Sequence, residues 1–207
     1  MGNRVGDTTS LVHWGVATLA LTGQTESGDL HLVAPVKHGV LVAVVDGLGH
    51  GEEAAAPAKL AVHTLEQFAE EPPLSLVQRC HAALKGTRGV VLSLARLDAH
   101  RGTMTWLGIG NVEGLLHHAH WAERSARASL VTRGGIVGSE LPAVQAAVLP
   151  VEPGDTLVFA TDGIRSGFSD DVSAREDPQR LADQLLSRYG KGTDDALVLV
   201  ARYVGRQ

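Results

Sequence analysis

Two apolar runs in this chain end on the same pair of residues, Asp-Gly. The first is Val40-Leu-Val-Ala-Val-Val-Asp46-Gly47-Leu48-Gly49-His50-Gly51, the second Asp155-Thr-Leu-Val-Phe-Ala-Thr-Asp162-Gly163-Ile164. Short continuous apolar runs bounded by turn residues read as buried strands, so each run delivers a carboxylate from a buried strand into a tight turn. Other aspartates stand at strand edges. Ser27-Gly28-Asp29-Leu30 places one at a strand's start, and Lys191-Gly192-Thr193-Asp194-Asp195-Ala196-Leu197 places an adjacent pair ahead of the last strand.

An aspartate beside a buried strand is costly unless its charge is compensated. Carboxylates gathered from four such places would repel one another, and a divalent cation reverses the sign of that interaction. Mg²⁺ and Mn²⁺ are hard ions that take oxygen ligands from carboxylates, backbone carbonyls and water. Glycine after the aspartate permits the tight turn and the close approach of a carbonyl or a phosphate. A single Asp-Gly is ordinarily no more than a turn, and Asp155 within Glu152-Pro153-Gly154-Asp155 reads entirely that way. The four places taken together, in this order, point past turns to an oxygen-lined metal site.

Around these positions the pattern predicts strands at Val12 to Leu21, Gly28 to Pro35 and Val40 to Asp46. Ala58, Ala61, Val62, Leu65, Phe68 and Ala69 then recur at three- and four-residue spacing, the buried stripe of a helix. Pro57 belongs near that helix's beginning, Pro72-Pro73 ends it, and Leu74 to Leu84 form a second helix. Strands resume at Val90 to Leu97, Thr103 to Ile109, Val112 to His117, Ala128 to Thr132, Ala143 to Leu149 and Asp155 to Ala160. A helix over Pro178 to Tyr189 precedes a final strand from Ala196 to Val204. Runs of strands and runs of helices, without regular alternation, predict an α+β fold. With no linker or repeat visible, residues 1–207 read as a single domain.

Composition removes several classes. A net charge of -5 without a Lys/Arg cluster argues against a nucleic-acid partner. No apolar run approaches the roughly 18 to 20 residues of a membrane helix, and Met1 to Ser10 lacks the apolar centre of a signal peptide. The lone Cys80 allows no intramolecular disulfide, which agrees with a reducing compartment. A cytoplasmic monomer, without membrane or nucleic-acid partners, is the expectation.

The motifs Ser27-Gly28-Asp29, Val45-Asp46-Gly47-Leu48-Gly49-His50-Gly51, Gly108-Ile109-Gly110-Asn111, Gly154-Asp155 through Asp162-Gly163, and Asp194-Asp195 resemble the PPM (PP2C-type) protein phosphatases. The bacterial branch that includes SpoIIE, RsbU and RsbX is the most similar. The resemblance implies a four-layer αββα sandwich, two mainly antiparallel sheets flanked by helices, with Mn²⁺ or Mg²⁺ in a channel between the sheets. It also implies roles. Asp46 looks like the ligand bridging two ions and Gly47 like a carbonyl ligand; Asp162 and Asp194 look like further ligands of one ion and Asp29 like a ligand of the other. Asp195 lies beside the last ligand and is not counted among them.

By the same resemblance, a water bridging the ions is the nucleophile that attacks a phosphoserine or phosphothreonine. His50, next to the metal turn, is a candidate proton donor to the leaving alkoxide, with steadying the glycine-rich turn or a place near the rim as the plainer reading. Gly28 stands where eukaryotic relatives carry Glu, which implies a weaker second ion. Leu21 to Ser27 holds no basic residue where those relatives carry a phosphate-holding arginine. The lack of sensor or coiled-coil segments favours the free-standing RsbX type, acting on phosphorylated STAS-domain proteins of the stressosome and resetting a stress response. An RsbU-like enzyme acting on an anti-sigma-factor antagonist, or a pseudophosphatase used for binding alone, are the alternatives.

Four other features read more plainly. Gly47-x-Gly49-x-Gly51 between strand and helix suggests a nucleotide cradle, but its spacing misses the dinucleotide fingerprint and Asp46 would face the phosphates. His117-His118-x-His120, next to Trp121, reads as a solvated loop, since no Cys or acidic ligands accompany it as zinc would require. Cys80 reads as a buried small apolar residue, and Gly134 to Gly138 as a turn with room for lid motion.

Overall fold

The computed structural model describes residues 11–120 and 127–205, so Met1 to Ser10 and Trp121 lie outside the described residues. Its elements run β1 (Val12–Leu19), β2 (Asp29–Val36), β3 (Gly39–Gly47), α1 (Glu52–Gln67), α2 (Pro73–Ala83), β4 (Val90–Asp98), β5 (Thr103–Ile109) and β6 (Glu113–His117). They continue with β7 (Arg127–Ser129), β8 (Ala147–Pro150), β9 (Thr156–Ala160), a 3₁₀ turn at Phe168–Asp171, α3 (Pro178–Tyr189) and β10 (Ala196–Tyr203).

The strands form two five-stranded sheets, ordered β1-β10-β9-β6-β7 and β2-β3-β4-β5-β8. Every ladder within them is antiparallel. The apolar run over β3 is unbroken because both of its faces are covered. Leu41, Ala43 and Val45 pack with Ala58, Ala61 and Leu65 of α1 and Leu76 and Val77 of α2. The alternate residues Val40, Val42 and Val44 pack with Leu157, Phe159, Leu197 and Leu199 of the other sheet. The opposite face of that second sheet, with Val158, Val198 and Val200, takes Leu181, Ala182 and Leu185 of α3. The order of layers is therefore helices, sheet, sheet, helix, which is the α+β sandwich expected.

Some boundaries differ. Pro57 is well inside α1 rather than at its first turn, because the helix starts six residues earlier than its apolar stripe, directly after Gly51. The strand expected over Ala128 to Thr132 shortens to β7, and that over Ala143 to Leu149 to β8. Between them the chain makes single contacts instead of a ladder: Arg133 bridges Ile109, and Val137 bridges Val90.

Candidate metal centre

Register places the first two aspartates together. Asp29 opens β2 and sits opposite Asp46, near the end of β3. Directly opposed residues of antiparallel strands put their side chains on one face, about 5 Å apart. Asp46 follows Val40, Val42 and Val44 at two-residue intervals, so it shares their face toward the second sheet. Thr161, immediately after β9, comes across from that second sheet: its hydroxyl donates to Asp29 Oδ2 at 2.7 Å. The same hydroxyl accepts the Leu197 amide at 2.9 Å. One buried hydrogen bond thus ties the two sheets together at the end where the carboxylates gather.

Asp162 follows Thr161 and is half-buried. Its Oδ2 accepts from Asn111 Nδ2 at 2.8 Å, and its main-chain carbonyl accepts from the Lys191 ammonium. Asp194 is likewise half-buried and accepts the amide of Asp195 at 2.9 Å. Asp195 behaves differently. It is buried, and its two oxygens accept the backbone amides of Leu21 and Gly28, each at 2.7 Å. Its carboxylate anchors the segment that leads to Asp29.

The electrostatics report how close these groups are. Burial pushes Asp46 up to about 8, and Asp29, Asp162, Asp194 and Asp195 add to the rise. Burial pushes Asp29 up to about 7; the Thr161 hydroxyl opposes this, while Asp195, Asp162 and Asp194 reinforce it. Charges drawn from three separate stretches of sequence are therefore felt at one sheet end. Among the described residues, no three or more His, Cys, Asp or Glu side chains converge closely enough to hold an ion as placed. The donor chemistry nevertheless fits a hard divalent cation: all oxygen, partly desolvated and mutually repelling.

The turns are built for close approach. Gly47 donates its amide to the Gly28 carbonyl at 3.1 Å, and a Cβ on Gly47 would lie 2.0 Å from the Ala54 carbonyl oxygen. A Cβ on Gly163 would lie 1.9 Å from the Asp195 carbonyl oxygen. His50 is exposed at the rim, its Nδ1 3.3 Å from Gln24 Nε2.

Three functional residues escaped the sequence reading: Asn111, Thr161 and the anchoring role of Asp195. Asn111 and Thr161 both lie inside motifs that were recognised, but nothing local reveals whom their side chains meet. One reading is corrected. His118 is not in a solvated loop but buried, its Nδ1 2.8 Å from Asp155 Oδ2. Asp155 also accepts the amides of Ala119 and Glu152, at 2.9 and 3.1 Å, so it is a turn residue that locks the far end of β6 to the entrance of β9. Cys80 is buried, and burial pushes its thiol up to about 12, as suits an inert core residue.

Comparison with known proteins agrees with this architecture. The family model of stage II sporulation protein E (SpoIIE) matches residues 37–204. The curated phosphoserine phosphatase RsbX of Bacillus subtilis (strain 168) is 30% identical over 95 residues, 46% of this chain and 48% of the relative. The matched stretch thus spans about half the length of that protein. A solved structure from work on the bacterial stressosome, described as a modular system adapted to control secondary messenger signalling, superposes with a TM-score of 0.84. It is 30% identical, with 92% of this chain and 99% of that chain covered. A crystal structure of RsbX in complex with magnesium gives a TM-score of 0.85 at 20% identity, over 97% and 99% of the two chains.

Proposed function

From the premise that this chain belongs to the SpoIIE family, we propose that it is a cytoplasmic, metal-dependent phosphatase that hydrolyses phosphoserine and phosphothreonine on proteins. The observation that carries the reading is the mutually repelling pair of buried Asp29 and half-buried Asp46, with Asp162 and Asp194 in electrostatic reach. Asp46, the Gly47 carbonyl, Asp162 and Asp194 would hold one Mn²⁺ or Mg²⁺, and Asp29 with Asp46 a second, weaker one. When bound, such ions acidify a water between them and neutralise phosphate oxygens.

The chain's own residues do the rest. Thr161 fixes the rotamer of Asp29, and Asn111 that of Asp162, so both carboxylates are oriented before any ligand arrives. Asp195 holds Gly28, and through it the Gly47 amide, at the mouth. His50, exposed beside Gln24 on the glycine-rich stretch after Asp46, is the candidate proton donor to the departing serine or threonine oxygen. The substrates proposed are phosphorylated STAS-domain proteins of the stressosome. The support is the likeness to the phosphoserine phosphatase RsbX and to a chain from stressosome work.

The test is hydrolysis of a phosphoserine peptide and a phosphorylated STAS domain, in parallel with EDTA, Mg²⁺ and Mn²⁺. Turnover that requires the ion and vanishes in Asp46→Asn is the expected result. A folded, inactive protein under every metal would overturn the phosphatase reading.

A further inference from the structure

Phosphate is dianionic, and the mouth it must enter is lined with aspartates. A cationic side chain beside any ion would offset that repulsion. Among the described residues, Lys191 contacts the second Asp-Gly turn and Arg88 the glycine-rich stretch after the first. Lys191 is spent on the Asp162 carbonyl, where it fixes the second turn.

The backbone around Arg88 is pinned beside the first turn. Gly47 pairs with Val90 at the start of β4, and the Leu48 amide donates to the Gly89 carbonyl at 3.2 Å. Within the loop, the Thr87 hydroxyl donates to the Leu84 carbonyl at 2.8 Å and accepts the Gly89 amide at 3.0 Å. The guanidinium then reaches over Gly49. Its Nη1 lies 3.1 Å from where a Cβ on that glycine would be, and the positive φ of Gly49 (109°) also favours glycine there. Its ion-pair partner is Glu53 in the first turn of α1, and the two side chains are 55% and 68% exposed. Pairs this exposed contribute little and exchange readily.

We propose that Arg88 is the phosphate-holding residue of this site. The side chain leaves Glu53 and grips two phosphoryl oxygens with its planar fork, above the Gly49 backbone that a larger residue would obstruct. A guanidinium suits this role because its donors match the spacing of phosphate oxygens. Glu53 acts as the carboxylate that occupies the fork until phosphate displaces it. The proposal rests on the phosphatase reading above and gives that site a cationic side chain.

The experiment compares wild type, Arg88→Ala, Arg88→Lys and Glu53→Gln, each loaded with Mn²⁺. Steady-state kinetics on a phosphoserine peptide are paired with calorimetric titration of inorganic phosphate. A charge-assisted contact of this kind predicts a rise in KM of roughly 10- to 100-fold for Arg88→Ala, with a smaller change in kcat. Phosphate affinity should fall by a similar factor, Arg88→Lys should recover part of both, and Glu53→Gln should tighten phosphate. Mn²⁺ affinity and the urea midpoint of Arg88→Ala should stay at wild-type values. Unchanged KM and phosphate affinity in Arg88→Ala would overturn the proposal, as would a loss fully accounted for by weaker Mn²⁺ binding or lower stability. If wild type proves inactive on the peptide, the phosphatase reading fails, and the phosphate titration still decides the role of Arg88.

Discussion

Both oxygens of Asp195 are taken by backbone amides, one on each side of the segment leading to Asp29. Removing the carboxylate would strand two N–H donors, one of them on the buried Gly28. Hydrogen bonds to a charged acceptor contribute about 1.5–3 kcal/mol each. Because the half-buried Leu21 amide can be partly re-solvated, Asp195→Ala is expected to lose less than the full sum, about 2–4 kcal/mol in urea unfolding, and to bind Mn²⁺ more weakly, since Asp29 loses its fixed approach. A variant with wild-type stability would show the anchor to be dispensable. Asn111→Ala acts through one atom: Asp162 keeps its charge but loses the donor that aims it. Outer partners of this kind typically contribute 10- to 100-fold, so Mn²⁺ affinity measured by titration should drop roughly in that range while the fold is kept. Asp46 and Asp162 drew notice as candidates because an Asp-Gly ending an apolar run is a local signature, and Asp29 and Asp194 because they stand at strand edges. The roles of Thr161, Asn111 and Asp195 were not legible, because their partners lie 132, 51 and 167 residues away in the chain.

Strands that carry the site are packed on both faces, which is why β3 and β10 announce themselves as continuous apolar runs. The junction between β3 and α1 is as tight as the strands. A Cβ on Gly47 would overlap the Ala54 carbonyl oxygen at 2.0 Å, and backbone on that side has no flexible end to move away. Overpacking a filled site costs about 1–3 kcal/mol, so Gly47→Ala should lower stability by at least that much and separate β3 from the helix it feeds. Gly134→Ala is the matched control: nothing lies within 4 Å of its Cβ, and the melting temperature should not fall. Equal losses at both glycines would mean that composition, not contact, sets the cost. Elements were less legible where apolar residues leave the ladder. Val131 looks like a strand residue but lies outside any strand and is 77% exposed, while Val137 is buried where it makes a single bridge to Val90. Alternation reports which side chains are apolar and not which backbone groups pair, so the stretch from Leu130 to Ala146 read as more strand than it is. The same limit hid His118, whose burial depends on Asp155, 37 residues away.

At the scale of the whole molecule, the sandwich places its greatest electrostatic strain where its two sheets meet at one end. Layer order follows from the patterning only in part: two-sided apolar strands demand cover on both faces, but which elements supply it is settled by long-range pairing such as β1 with β10. The strain has a measurable sign. Asp29 and Asp46 are raised from 3.8 to about 7 and about 8, chiefly by burial. The native state thus holds these protons more tightly than the unfolded chain does. Their contribution to stability is complete below the unfolded value near 4 and is lost as pH rises through about 7 and about 8. In EDTA, the urea midpoint of the wild type should therefore fall between pH 5 and pH 9. Asp46→Asn, which carries no charge at that position, should show a shallower fall and be the more stable protein at pH 9. Adding Mn²⁺ at pH 8 should reverse the order. A ligand bound only by the native state stabilises it by about 2.7 kcal/mol at a hundred times its Kd, and the variant lacks the carboxylate to benefit. Loading at pH 6 should release protons to solution, since carboxylates must ionise to bind. Parallel pH profiles for wild type and Asp46→Asn in EDTA, with no inversion on adding Mn²⁺, would remove the argument that this acidic mouth is held in tension for a cation.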